Sequence, residues 1–272
     1  MVLRTDLSLT MPDPETSGDS SLRVQTLGGF RVWRDGVEIV PAAWKREKAV
    51  HLFQFLVTVR GRYLHKEQIV DRMWPELDWE TSNRDFRVAL NAAYKALEPE
   101  RKPRAQSRFI LRRDLAYGLD MDQTLVDADD FELLVRSGNS ALPDDAEAAI
   151  ERFRAAVDLY TGDYLPERRY EDWASTEQER LQVLALGTMT TLAGLLAETS
   201  PLESVRLTQR VLAVDPVWED AYRAQMRAYQ AQGNRPLALR TYRQCVQVLD
   251  REFGVEPLPE TRQLYKEIGG GG

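Results

Sequence analysis

Residues 82–97 contain side chains that could do selective hydrogen-bond chemistry. Phe86, Leu90, Ala93 and Leu97 recur at three- and four-residue spacing, and at about 100° per residue they share one edge of a helix. The same wheel turns Arg84, Arg87, Val88, Asn91 and Lys95 the other way. A guanidinium can donate two parallel hydrogen bonds to guanine, and an amide can pair with adenine. A small apolar group can touch a thymine methyl, and an ammonium can meet a phosphate. Arg, Asn and Lys equally suit an ordinary solvated helix face, so the flanking sequence decides between the two.

The flanks are basic. After the helix come Arg101, Lys102, Arg104 and Arg108, then a predicted hairpin bearing Arg112 and Arg113. Adjacent arginines at a hairpin tip can enter a minor groove or grip the backbone. Lys45, Arg46 and Lys48 precede an earlier helix, whose N-terminal end makes a phosphate seat, and Arg62 lies in the next loop beside Tyr63. The net charge of −7 conceals a division. Arg23 to Leu119 holds 19 Lys/Arg against 12 Asp/Glu, whereas Asp120 to Gly272 holds 16 against 27. The first part can neutralise phosphates and the second would be repelled by them.

Enzyme chemistry finds no foothold. The sequence has no phosphate-binding loop of the Walker type, no HExxH and no GxSxG. Two histidines and one cysteine make no metal cluster. His51 and His65 read as surface or boundary residues. Asp127, Asp129, Asp130, Glu171 and Asp172 read as helix N-terminal acids favoured by the macrodipole. The expectation is a non-enzyme with no catalytic residues, no metal and no cofactor. A single cysteine, Cys245, fits a reducing compartment. No secretory leader or membrane span is evident, so the expected location is cytoplasmic, with no membrane partner.

These side chains need elements to position them. LRVQTLGGF and RVWRDGVEIV read as strands, with Asp35-Gly36 as a two-residue turn. Helices are predicted around 49–57, 66–74 and 82–97, followed by a hairpin from RFILRR and LAYGL. That is the order of a winged helix behind an N-terminal sheet. After Leu119 strands are expected to cease. Helices follow near 127–138, 144–161, 171–198, 201–213, 217–231, 235–252 and 258–267, broken by Pro and Gly. A small-x3-aromatic-x2-small pattern occurs at Ala149/Phe153/Ala156 and Ala238/Tyr242/Cys245, with a weaker copy at Ser204/Thr208/Val211. The last two copies start about 34 residues apart, the tetratricopeptide period; Cys245 thereby occupies a packing position. The expected fold is an α+β winged helix followed by an all-α tetratricopeptide-like repeat. Its parts are a disordered tail or linker over 1–21, a winged-helix domain over 22–120, a helical domain over 121–268 and a flexible Gly tail over 269–272.

The motifs TLGGFRVWRDGVEI, AWKREKAVHLFQFLVTVRGRYLHKEQIVDRMWPELD, RDFRVALNAAYKALEP and RFILRRDLAYGL resemble the OmpR-like DNA-binding domain of AfsR/SARP-type bacterial regulators. VDADDFELL, AAIERFRAAVDLYTGDYLPE, EDWASTEQERL and the stretch from AYRAQMRAYQAQGNRPLALRTYRQC onward resemble the associated bacterial transcriptional activation domain. The resemblance runs from Leu22 to Ile268, in the expected order. It implies an activator that binds a directly repeated promoter element in double-stranded DNA and contacts RNA polymerase. A homodimer or tandem copies would fit such an element. The resemblance also puts the exit of the second helix, Met73 to Asp78, near the polymerase, with Glu76 and Asp78 as contact candidates and Trp74 as packing. Ala92 and Ala93 stand where many relatives have a basic residue and Leu, so the base sequence read does not carry across. The nucleotide-binding domain of larger members is absent. The alternative at this stage is a helical-repeat adaptor, or the output module of a larger signalling ATPase without independent DNA binding. An adaptor would not need both the basic helix face and the Arg112–Arg113 tip.

Overall fold

The structure, a computed structural model, describes residues 21–270. The tail expected over 1–21 therefore lies outside the described residues, except for Ser21. Ser21 donates its N–H to the Asp35 carboxylate and accepts the Asp35 N–H on its carbonyl. Two compact units emerge. The first comprises the described residues through Asp129 together with Gly162–Gln178, and the second comprises Asp130–Thr161 and residues from Glu179 onward. The first unit thus takes in a segment that the sequence pattern had grouped with the helical part.

In the first unit, β1 (Leu22–Gln25), β2 (Arg31–Arg34) and β3 (Val37–Glu38) form an antiparallel meander. The turn between β2 and β3 has Asp35 at φ 52° and Gly36 at φ 77°. Both are left-handed, which is why Asp-Gly suits this two-residue connection. A 3-10 turn at Pro41–Trp44 leads into α1 (Glu47–Thr58), then β4 (Leu64–His65), α2 (Lys66–Met73) and α3 (Trp79–Leu97). The hairpin β5 (Ile110–Arg113) and β6 (Ala116–Leu119) pairs with β4 in a three-stranded sheet ordered β4-β6-β5. This is the winged helix.

Strands do not cease at Leu119. β7 (Thr124–Val126) pairs in parallel with β1, giving the first sheet the order β3-β2-β1-β7. Three residues are too few to show alternation in the sequence, yet Thr124 and Val126 are buried beside Leu22 and Val24. The next residue, Asp127, accepts hydrogen bonds from the Thr26 N–H at 2.8 Å, the Thr26 hydroxyl at 2.5 Å and the Leu27 N–H at 3.0 Å. Burial pushes its carboxyl above the usual range while these donors pull it back. Asp127 is therefore a tie between distant strands as well as a helix N-terminal acid.

Beyond its exposed first turn, α1 is buried on every side, with Leu52, Phe53, Gln54, Phe55, Leu56 and Val57 buried in succession. A helix apolar on every face must be central. One side packs on α3, and another receives residues 162–178 through a polar lattice. Arg168 donates to Gln54 at 2.6 Å and pairs with Glu47. Gln54 donates to Glu167 at 2.6 Å, and the Thr58 and Tyr164 hydroxyls bond at 2.9 Å. His51, expected at the surface or a boundary, is partly covered. Its Nε2 accepts from Trp173 Nε1 at 3.2 Å beside Glu171, and burial lowers its pKa.

The second unit is helical: the greater part of α4 (Asp127–Ala141), α5 (Ala146–Leu159), most of α6 (Asp172–Leu196), α7 (Pro201–Val214), α8 (Glu219–Ala231), α9 (Arg235–Phe253) and α10 (Pro259–Gly270). Neighbours in sequence pack on one another from α7 through α10. The repeat positions Ala149, Phe153, Ala156, Ser204, Thr208, Val211, Ala238 and Cys245 are all buried. Cys245 packs with Tyr222 and Leu249, and burial pushes its thiol up to about 12, as befits a packing residue. Gly138 on α4 permits close approach of α5, since a Cβ there would lie 2.5 Å from the buried Phe153 ring. Gly269 and Gly270 close α10 and are not a flexible tail, whereas residues 271 and 272 lie outside the described residues.

Replacing Asp127 with Ala leaves the Thr26 and Leu27 donors without their acceptor. Chemical denaturation is expected to show a loss of about 2–4 kcal/mol; a loss below about 0.5 kcal/mol would mean that water replaces the carboxylate.

Candidate nucleic-acid interface

α3 begins where Asp78, its N-cap, accepts the Thr81 N–H at 2.9 Å. Its inward edge of Phe86, Ala89, Leu90, Ala93, Ala96 and Leu97 is buried, and Phe86 meets Tyr117 of the hairpin edge-on at 5.1 Å. The opposite face carries exposed Arg84, Arg87, Asn91 and Lys95, with Val88 half-buried among them. Among the described residues Arg84, Arg87 and Lys95 have no acidic partner, and Arg87 makes only a 3.4 Å bond to the Asn83 carbonyl. Guanidinium, amide and ammonium groups therefore line one solvent-facing stripe with their donors open.

The loop after α3 is organised from buried groups. Glu98 accepts from the Ser107 hydroxyl and from the Arg108 N–H at 3.1 Å. Ser107 Oγ in turn accepts the N–H groups of Phe109 at 3.2 Å and Ile110 at 3.0 Å, which sets the root of β5. Arg101 lies 4.2 Å over the Tyr94 ring and donates to the Ala105 carbonyl. Arg104, exposed, sits in the left-handed region at φ 67°. Arg108 is exposed and lies 3.8 Å from Glu98, so part of its charge is answered within the chain.

The β5–β6 tip places Arg112 and Arg113 in solvent. Arg112 Nε donates to the Asp114 carbonyl at 2.6 Å. The Arg113 guanidinium stacks 4.0 Å from the Tyr63 ring, which lies against Gly118. A Cβ on Gly118 would come within 2.8 Å of the Arg62 carbonyl, so this close approach requires glycine. Arg62, in the same loop, is exposed. At the start of α1, Lys45 and Arg46 are exposed, with Lys45 left-handed at φ 58° and Arg46 as N-cap. Lys48 differs: its ammonium is engaged by Asp85 of α3.

The loop from Trp74 to Asp78 exposes Glu76, Leu77 and Asp78, with Trp74 half-buried. Asp78 has its capping task, which holds its carboxyl below the usual range through the Thr81 N–H. Glu76 has no such task. The sequence pattern alone missed Asp85, Glu98, Ser107 and Arg34, whereas Tyr63 is legible there as an aromatic beside Arg62.

Among the described residues no cluster of three or more His, Cys, Asp or Glu could hold a metal, and no helix is long and apolar enough to cross a membrane. Replacing Glu98 with Ala is expected to accelerate amide exchange at Phe109 and Ile110 by about tenfold, equivalent to about 1.4 kcal/mol of local stability. Unchanged exchange would show that Ser107 holds the wing root unaided.

A family model described as the bacterial transcriptional activator domain matches residues 126–269. The chain is 27% identical over 270 residues to the regulatory protein DnrI of Streptomyces peucetius, covering 91% of this chain and 92% of that protein. It is 27% identical over 213 residues to the transcriptional regulator RedD of Streptomyces coelicolor, covering 76% of this chain and 60% of RedD. With the regulatory protein AfsR of the same species it shares 26% over 257 residues, 94% of this chain but 25% of AfsR. The fold is similar to that of Mycobacterium tuberculosis EmbR, solved in complex with a low affinity phosphopeptide. The TM-score is 0.79 at 19% identity, over 93% of this chain and 66% of that one. The chain belongs to the bacterial transcriptional activator domain family and is a SARP-type transcriptional regulator.

Proposed function

We propose that this regulator binds double-stranded DNA sequence-specifically and activates transcription by contacting RNA polymerase. The observation that carries the reading is the exposed stripe of Arg84, Arg87, Asn91 and Lys95 on α3, backed by a buried apolar edge. In this reading α3 lies in the major groove, with Val88 available to a thymine methyl. Arg112 and Arg113 reach the adjacent backbone or minor groove. Lys45, Arg46, Arg62, Arg104 and the unmasked part of Arg108 meet phosphates. DNA reading is assigned to 22–120 and the activation domain to 121–268, with a directly repeated element occupied by a homodimer or by tandem copies. Glu76 is the better polymerase contact, because Asp78 is occupied at the α3 N-terminus. The site of action is the cytoplasm.

Selection of bound duplexes from a random pool, followed by footprinting, tests this directly. The expected outcome is a repeated motif protected on one helical face. No enrichment would overturn DNA reading and favour the adaptor role. With the selected duplex, Arg87→Ala or Asn91→Ala is expected to cost about 1–3 kcal/mol of specific binding with the fold intact. Retained discrimination in both variants would remove α3 as the reading element. Lys45, Arg46 and Arg113 contribute to all sequences alike, so affinity should fall steeply between about 50 and 200 mM salt. A flat response would mean few phosphate contacts.

A further inference from the structure

We propose that Lys48 and Arg34 act on DNA binding through α3 without touching DNA, each cancelling a negative group that the helix would otherwise present to phosphates. The inference rests on the DNA-reading function proposed above. Asp85 lies next to Arg84 and two residues before Arg87, on the flank of α3 turned toward α1. Its side chain is 17% exposed, and the Lys48 ammonium bonds to its Oδ2 from the first turn of α1. A carboxylate there adds repulsion toward a polyanion at the edge of the reading face. The Lys48 charge is committed to that carboxylate, unlike the open ammonium of Lys95.

The second negative group is the C-terminal end of α3. The last carbonyls of a helix carry about half a negative charge. Arg34 of β2 donates from Nη1 to the Leu97 carbonyl at 2.9 Å and approaches the Ala96 carbonyl at 3.4 Å. The N-terminal sheet thus supplies the cation that closes the helix end and fixes its direction. Lys48 and Arg34 come from different elements and meet different ends of one problem, a reading helix that carries negative charge of its own. Both are positioning residues in this scheme. That revises the sequence expectation for Lys48, which treated it as a phosphate contact.

The test measures affinity of the full chain for the selected duplex by fluorescence anisotropy across salt concentrations, with thermal melting as the fold control. Lys48→Met is expected to weaken binding about tenfold at low salt, with the deficit shrinking as salt screens the bared carboxylate. Adding Asp85→Asn should return affinity to within about threefold of the parent chain, because the charge to be cancelled is gone. Adding instead Asp122→Asn, which restores the same net charge at an exposed loop position, should not. Arg34→Met should weaken binding about tenfold at low salt, and Arg34→Lys, which keeps a cation but loses the planar fork, should recover part of it. Failure of Asp85→Asn to rescue, or equal rescue by Asp122→Asn, would overturn the proposal for Lys48. Full affinity in Arg34→Met, or no recovery in Arg34→Lys, would overturn it for Arg34. Absence of binding by the parent chain is a separate result, read before any variant, and sinks the DNA-reading function itself.

Discussion

The contact between the apolar edge of α3 and the largely buried α1 is the constraint on which the rest of the first unit depends. Phe86, Ala89, Leu90, Ala93 and Leu97 leave solvent, and that burial fixes which way the helix is rolled. Every polar residue on the far side follows from that roll, because helical spacing leaves no freedom once the edge is seated. Ends and flanks are then secured by groups that do not compete for the outer stripe. Asp78 caps the start, Arg34 closes the finish, Lys48 answers the Asp85 carboxylate on the flank, and Glu98 ties the exit to the wing.

α1 can play this part only because its own outer side is covered. A helix bearing Phe53 and Phe55 two positions apart has apolar groups on more than one side. Residues 162–178 supply the missing cover, with Tyr164 fully buried and Trp173 against His51 and Phe55. Buried polar groups are safe here because each finds a partner. Gln54 is fully buried, yet it donates to Glu167 and accepts from Arg168.

What could be read from the sequence was whatever local periodicity encodes. The roll of α3, the Asp35-Gly36 turn, the hairpin and the buried repeat positions follow from spacing of apolar and turn residues. Pairings between distant residues were not legible. β7 is three residues long and is recognisable only once β1 lies beside it. His51 read only as a surface or boundary residue, because its cover arrives more than a hundred positions later. The partners of Lys48, Arg34 and Glu98 were invisible for the same reason, since a charged side chain on paper carries no sign of what it faces. Charge density marked the basic half, but density could not separate open cations from those already answered.

The parallel pairing of β7 with β1, and the cover that residues 162–178 lay on α1, have a consequence for how such a protein can be rearranged. The module that would read DNA is discontinuous along the gene: its last strand precedes, and its outer cover interrupts, the helices of the other unit. A crossover or cut placed where the basic stretch gives way to the acidic one would strip an edge from one sheet and bare the aromatic side of the central helix. Recombination that keeps both parts working must therefore exchange them together, so the two halves are expected to share a single evolutionary history.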